Sequence, residues 1–242
     1  MLCHVISTGS KANTYILTVG ADSLVLDAGV SIKAAADRFA KAGKLWACLV
    51  THEHADHARA WKDYAMRGIP VVMSEGTFRQ IADDLLVIPL VIAKARELLT
   101  FGPWQVLPFE TQHDAAEPFG YLIRYLPTGE TILYATDTYY IRYRFPGVHY
   151  WMIECNYCDE LLEEETNRVL RKRLNQSHMS LSRLCDCLTS NDLKLAREIL
   201  LVHLSDQRSN EVEMIEKVAC VTGVSTQAAH DGETYKFELE PF

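Results

Sequence analysis

Three histidines and an aspartate fall within the six residues from His52 to His57, in the order His52-Glu53-His54-Ala55-Asp56-His57. Neutral imidazole and carboxylate are the donors that zinc takes, and with more oxygen ligation manganese or iron. His52 and His54 are two residues apart, so an extended segment sets both on one side, while Asp56 and His57 turn away with the following loop and can serve a second ion. Other ligand types recur where an apolar run gives way to a loop: His113 with Asp114, then Asp137, then His203. Side chains mounted on strand ends are held by a sheet and face a common rim, which is the rigidity a metal site needs. Four polar residues before a helix would also fit a solvated loop. The strand-to-helix setting favours metal, and the lack of cysteine in the pattern points away from a closed structural zinc site.

The elements that must position these residues are legible in outline. Leu24–Leu26 reads as a buried strand stopping at Asp27, followed by a helix through Ile32, Ala35, Ala36 and Phe39, with Ser31 as its N-cap and Gly43 past its end. Ala47–Val50 is an apolar strand running into the histidine motif; Ala58–Met66 then reads as helix and Ile69–Met73 as strand. Leu122–Tyr125 and Thr131–Ala135 flank the turn Pro127-Thr128-Gly129-Glu130, a hairpin whose second strand leads to Asp137. Asp159–Leu174 reads as one helix with Arg171, Lys172 and Arg173 in its last turn, where they complement the helix dipole. Glu198–Val202 is a strand ending at His203, Asn210 caps a helix carrying Val212, Ile215 and Ala219, and Asp231-Gly232 turns into a last strand, Thr234–Leu239. Short strands alternating with amphipathic segments indicate a layered α/β or α+β organisation. With no repeat, low-complexity tract or linker, residues 1–242 read as a single domain.

Composition excludes several classes. At 242 residues, 48% hydrophobic and 23% charged, the chain is neither disordered nor fibrous. Its net charge of −8 argues against a broad basic face for long nucleic acid. The longest apolar stretch, Leu85–Ala93, is broken by Pro89 and too short to span a membrane; the first ten residues lack a secretory pattern. Seven cysteines, an odd number, read as thiols in a reducing compartment, so a cytoplasmic location is expected. Cys155-x-x-Cys158 and Cys185-x-Cys187 miss the spacing of a zinc ribbon and are read as packed thiols.

The order and setting of these residues resemble the metallo-β-lactamase superfamily along essentially the whole chain. LVLDAG at Asp27 is similar to that superfamily's first motif, and His52-x-His54-x-Asp56-His57, His113, Asp137 and His203 to the motifs that follow. The resemblance implies an α+β fold, a four-layered αβ/βα sandwich of two facing mixed β-sheets flanked by helices. It also implies two divalent metal ions per chain, zinc first and manganese second. His52, His54 and His113 would hold one ion; Asp56, His57 and His203 would hold the other, with Asp137 bridging. STGSKANTY, HDAAEPFGY, IECNYCD, SHMS and VHLSDQRSN look further like the YycJ/WalJ-type phosphodiesterase subgroup. Ala12, Cys155, Ser177 and Leu181 depart from its usual glycine, serine, glycine and asparagine, which bears on substrate more than on scaffold.

The resulting expectation is a phosphodiesterase that works through a metal-activated hydroxide, and by resemblance a DNA exonuclease. Asp56 and His178 are the catalytic candidates, His178 as the group that meets phosphate or the leaving oxygen, although a lone histidine before a helix is more often a cap. Asp27, Asn13 and Ser180 are expected around the ligands or against substrate, and Asp114 or Glu117 to orient a ligand histidine. A cyclic nucleotide phosphodiesterase is the alternative, since the compact chain and acidic balance fit a small substrate; another metallo-hydrolase of the fold is a third reading. The partners expected are a nucleic-acid end or a cyclic nucleotide and no membrane, with a homodimer left open.

Overall fold

The computed structural model describes residues 1–82, 89–163 and 166–238. The first sheet contains β1 (Leu2–Ser7), β2 (Thr14–Val19), β3 (Asp22–Leu26), β4 (Lys44–Leu49), β5 (Val71–Ser74), β6 (Leu90–Ala93) and, beside β1, β14 (Thr234–Lys236). The second contains β7 (Leu99–Phe101), β8 (Trp104–Glu110), β9 (Phe119–Tyr125), β10 (Thr131–Ala135), β11 (Tyr150–Glu154), β12 (Glu198–Val202) and β13 (Ser225–Ala228). Strand order is β14-β1-β2-β3-β4-β5-β6 in one and β13-β12-β11-β10-β9-β8-β7 in the other. Both are mixed: β1–β3 pair antiparallel and β3–β6 parallel, as β7–β10 pair antiparallel and β10–β13 parallel.

One apolar cluster lies between the sheets, joining Tyr15, Leu17 and Leu26 of the first to Trp104, Tyr121 and Met152 of the second. Each sheet's outer face is covered by helices. Phe39 of α1 (Ala36–Phe39) and Trp61 and Tyr64 of α3 (Trp61–Met66) pack on the first; Leu184 and Leu188 of α7 (Leu181–Thr189) and Met214 and Val218 of α8 (Glu211–Thr222) pack on the second. This is the expected four-layered sandwich. Cys155, Cys158 and Cys185 lie buried in the outer layer of the second sheet, and all seven cysteines are unpaired. No helix among the described residues is long and apolar enough to cross a membrane.

Several element boundaries differ from the sequence reading, for local reasons. The helix expected over Ala58–Met66 is two, α2 (Ala55–Ala58) and α3, because the Ala60 N–H donates to the Ala28 carbonyl at 2.8 Å instead of continuing the ladder. The helix read from Ile32 is regular only in α1; Ser31 holds the preceding turn by accepting from the Ala34 N–H. Asp159–Leu174 is also two helices, α5 (Asp159–Glu163) and α6 (Arg168–Ser177), the latter capped by Asn167, whose side chain accepts from the Val169 and Leu170 N–H groups. Because α6 runs on to Ser177, Arg171–Arg173 stand in its middle, and dipole complementarity does not account for them. Asn210 does cap α8, but Met214 and Val218 face inward and Val212 is exposed. Leu85–Ile88 of the apolar stretch, Glu164 and Glu165 of the expected helix and Leu239 of the last strand lie outside the described residues.

Candidate metal centre

The rim where the two sheets meet is built from strand ends. β3 gives way to Asp27, β10 to Asp137 and β12 to His203, and all three have positive φ, at 57°, 47° and 57°. The left-handed conformation costs an L-residue about 1–2 kcal/mol, less for Asp, and strain of this kind gathers at functional sites. β4 leads through Val50 and Thr51 to His52, and α2 begins immediately after His54, placing Asp56 and His57 on its single turn. His113 comes from the loop between β8 and β9.

The side chains converge in two groups that share Asp137. In the first, His52 Nε2 and His54 Nδ1 are 3.0 Å apart, His54 Nδ1 and His113 Nε2 3.1 Å, and Asp137 Oδ2 stands 3.7 and 3.6 Å from His52 and His113. In the second, His57 Nε2 is 3.4 Å from both Asp56 Oδ2 and Asp137 Oδ2, while His203 Nε2 is 3.9 Å from Asp56 and its Nδ1 3.3 Å from Asp137. One ligand atom from each member lies within 4.8 Å of the others in both groups, and Asp137, Glu154, His178 and His203 meet the same condition as a third, overlapping set.

This donor set fits divalent cations. The His113 Nδ1–H donates to the Ser177 carbonyl at 2.8 Å, leaving Nε2 a lone pair that faces two further imidazole nitrogens. A neutral imidazole has one acceptor nitrogen, and acceptors gathered this closely call for a shared cation. His203 Nε2 is buried without a hydrogen-bond partner among the described residues, an orphan of the kind a metal satisfies.

Surrounding groups fix these side chains. Asp27 is fully buried; its Oδ2 receives the His57 Nδ1–H at 2.8 Å and the Tyr134 hydroxyl at 2.6 Å, and its Oδ1 receives the Thr51 N–H and hydroxyl at 2.8 and 2.9 Å. This carboxylate–imidazole contact sets the tautomer that frees His57 Nε2. Asn13 is also drawn in, its amide nitrogen 3.0 Å from His57 Nε2. Glu154, fully buried at the end of β11, reaches His178 Nδ1 at 2.7 Å and His203 Nδ1 at 3.1 Å through Oε1, while its Oε2 accepts from the Thr138 and Met179 N–H groups. His178 stacks on His203 with ring centroids 5.4 Å apart and planes 13° from parallel.

Charge sorts the histidines. Burial and the neighbouring imidazoles hold His52 well below the usual histidine range, and burial lowers His113. Around His57 and His203 burial works downward too, but is outweighed by the carboxylates: Asp137 and Asp27 raise His57, and Asp137, Asp56 and Glu154 push His203 up to about 10. His178 is raised because the Glu154 carboxylate overcomes its burial. Asp137 is held low despite burial by His203 and His57.

Not every expected residue joins the cluster. Ser180 is the N-cap of α7, its hydroxyl accepting from the Arg183 N–H. Glu117 accepts from the Gly76 N–H at the start of α4 (Glu75–Ile81) and not from a histidine, while the Ser177 carbonyl holds His113 at Nδ1 and Asp114 Oδ1 stands 3.3 Å from its Nε2. Asp114 binds Arg173 at 3.1 Å. Glu154 and Tyr134 are site residues that the sequence reading misses, although Glu154 ends its strand as Asp137 and His203 follow theirs.

Residues 23–204 match the family described as the β-lactamase superfamily domain. The chain belongs to the β-lactamase superfamily. Among superfamily relatives it is 33% identical over 172 residues to the Bacillus anthracis protein named exodeoxyribonuclease YycJ, covering 65% of this chain and 64% of that protein. It is 25% identical over 245 residues to exodeoxyribonuclease WalJ of Streptococcus pneumoniae serotype 2 (strain D39 / NCTC 7466), covering 94% of this chain and 88% of that one. The chain thus spans just under two thirds of the Bacillus relative and most of the streptococcal one. The metallo-β-lactamase fold protein YhfI from Bacillus subtilis superimposes with a TM-score of 0.75 at 18% identity, covering 97% of this superfamily member and 99% of YhfI, a likeness of fold.

Proposed function

We propose that this protein is a metal-dependent phosphodiesterase that degrades DNA from an end. The observation that carries the reading is the pair of ligand groups joined through Asp137, in a chain similar along most of its length to proteins named exodeoxyribonucleases. His52, His54 and His113 would hold one ion, Asp56, His57 and His203 the other, with Asp137 between them. Five imidazoles and two carboxylates favour zinc, with manganese as the alternative. When bound, two such ions lower the pKa of water and act as Lewis acids on phosphoryl oxygen.

The chain's own residues then do the following. Asp27 keeps the His57 proton on Nδ1, and the Asn13 amide nitrogen stands beside Nε2, the position it would yield to the ion. Asp56, ligand and catalytic candidate, brings its carboxylate to the open face of the second group, where its side chain is 24% exposed. His178 gives its Nδ1–H to Glu154, so that Nε2 is the atom that meets phosphate or protonates the leaving oxygen. Because one set of side chains draws on both sheets, we treat residues 1–242 as a single domain. Seven unpaired thiols suit a reducing, cytoplasmic setting.

The test is metal analysis together with hydrolysis of 3′- and 5′-labelled DNA and of cyclic nucleotides. We expect close to two ions per chain, terminal release of mononucleotides abolished by chelation, and loss of both metal and activity in Asp137→Ala. Full activity in a metal-free protein, or hydrolysis of cyclic nucleotides with DNA left intact, would overturn the reading.

A further inference from the structure

A groove of about 210 Å³ opens beside the ligand groups and is not used by the chemistry above. It is joined to the centre at two points: Tyr139, two residues after Asp137, and Met179, next to His178, both line it. Two residues span at most about 7 Å, so the groove starts within one nucleotide's reach of the ligands.

The wall is the segment Tyr139-Tyr140-Ile141-Arg142-Tyr143-Arg144, with buried Phe145 following it. It has no regular secondary structure, yet its exposure alternates: Ile141 and Phe145 are buried against the second sheet, while Tyr140, Arg142 and Arg144 face outward. The Tyr143 hydroxyl donates to Glu110, and the Phe145 N–H donates to the Asn191 side chain at 2.8 Å, so the backbone under the exposed row is tied down at both apolar anchors and between them. Arg142 and Arg144 make no salt bridge with any described residue, although Arg142 is near enough to Glu110 to help the Tyr143 hydroxyl hold that carboxylate low. Across the groove Arg183 is fixed by donating to the Asn175 carbonyl at 2.6 Å and lies 5.7 Å from the Tyr139 ring. Three guanidinium groups face one carboxylate, Asp186, in a protein whose overall charge is −8.

Tyrosine large enough to expose a face, arginine without a salt-bridge partner and a rigid backbone beneath both are the components of a single-strand platform. Bases stack on the rings, and guanidinium groups follow the phosphates. Aliphatic or uncharged peptide ligands would leave the arginines unmatched, and a duplex keeps its bases stacked on one another. We propose that this groove seats the single-stranded DNA next to the scissile phosphate, with Tyr140 stacking on a base and Arg142 and Arg144 holding backbone phosphates. The proposal rests on the nuclease reading and adds to it the path of the strand and its single-stranded character.

The test uses the metal-loaded protein and a short fluorescein-labelled phosphorothioate oligothymidylate, read by anisotropy across about 50–200 mM salt. Tyr140→Ala should weaken binding roughly 5- to 150-fold, the range of one base–aromatic stack. The double variant Arg142→Ala/Arg144→Ala should make the salt dependence shallower by about 1.4, or 0.7 for each phosphate no longer neutralised. Metal content and melting temperature should stay as in the wild type, since these side chains are exposed. If the wild type degrades DNA while the variants bind the strand as tightly and with the same salt slope, the groove proposal falls and the nuclease reading stands. If the wild type neither binds the strand nor degrades DNA, both fall.

Discussion

Replacing Asp27 with asparagine should separate the two ligand groups. The carboxylate sits fully buried with four donors on its two oxygens, at 2.8 and 2.9 Å from Thr51, 2.8 Å from His57 Nδ1 and 2.6 Å from Tyr134. An asparagine can keep its oxygen toward Thr51, but its NH₂ then confronts the Nδ1–H of His57 and the Tyr134 hydroxyl. Two charge-assisted bonds disappear, each contributing about 1.5–3 kcal/mol, so the metal-free variant should be less stable by about 3–6 kcal/mol. At about 2–4 °C per kcal/mol for a domain of this size, that is a fall in melting temperature of roughly 6–24 °C. His57 can relieve the clash by moving its proton to Nε2, the nitrogen that faces Asp56 and Asp137, and then no longer serves as a ligand. Removal of such an orienting partner typically costs 10- to 100-fold in metal affinity, about 1.4–2.7 kcal/mol. Zinc titration by calorimetry with a competing chelator should therefore show one weakened site and one close to wild type, because His52, His54 and His113 do not touch Asp27. Equal weakening of both sites, or two unchanged sites with an unchanged melting temperature, would refute the assignment of Asp27 to His57.

Other consequences follow from the same geometry. His178→Ala should retain metal and lower kcat by roughly 10²–10⁴-fold, whereas Glu154→Gln should lower kcat and also weaken metal at the Asp56–His57–His203 group, because Glu154 holds both His178 and His203; steady-state kinetics with metal analysis checks this, and an unchanged kcat in His178→Ala or unchanged metal affinity in Glu154→Gln would refute it. His57 and His203 have raised pKa values in the metal-free protein, so the stability they confer is full below about pH 6.5 and is lost as pH rises through about 10 for His203. Those protons occupy ligand positions, so zinc uptake near neutral pH should release protons to an indicator dye and weaken as pH falls; uptake without proton release would contradict the shifts. Gly29→Ala would place a Cβ 2.0 Å from the Asp56 carbonyl oxygen and 2.6 Å from the Asn13 nitrogen, so the Asn13 and Asp56 loops must part. We expect a lower melting temperature and weakened metal at the Asp56–His57 group, and wild-type behaviour in both would refute that constraint.

What the sequence reveals here follows from the distance over which each feature is specified. The strand-to-loop transitions at Asp27, His52, Asp137 and His203 are local, because a β-branched or apolar run ending on a ligand type can be read without knowing its neighbours. Asn167 and Ala60 lie at the limit of that reading. They break helices that periodicity would continue, one through a cap visible in its residue type and the other through a hydrogen bond to Ala28, which only the folded chain supplies. Glu154 is harder to see, for a different reason. β11 runs parallel between β10 and β12 and is buried on both faces, so Tyr150–Glu154 shows no alternation, and its terminal carboxylate reads as the edge of an apolar run. Its role comes from three parallel strands ending level with one another, which brings Asp137, Glu154 and His203 within reach of a single ring at His178. The Tyr139–Phe145 segment follows the same logic at longer range. Its tyrosines and arginines look like an ordinary loop in sequence, while the densest basic run, Arg171–Arg173, draws the eye. Folding reverses their standing: Arg173 is tied to Asp114, whereas Arg142 and Arg144 remain without a salt-bridge partner among the described residues, beside exposed Tyr140 and next to the ligand groups. On the proposed path, a strand would meet the charge of the groove before that of the whole surface, a local feature that the net charge does not describe.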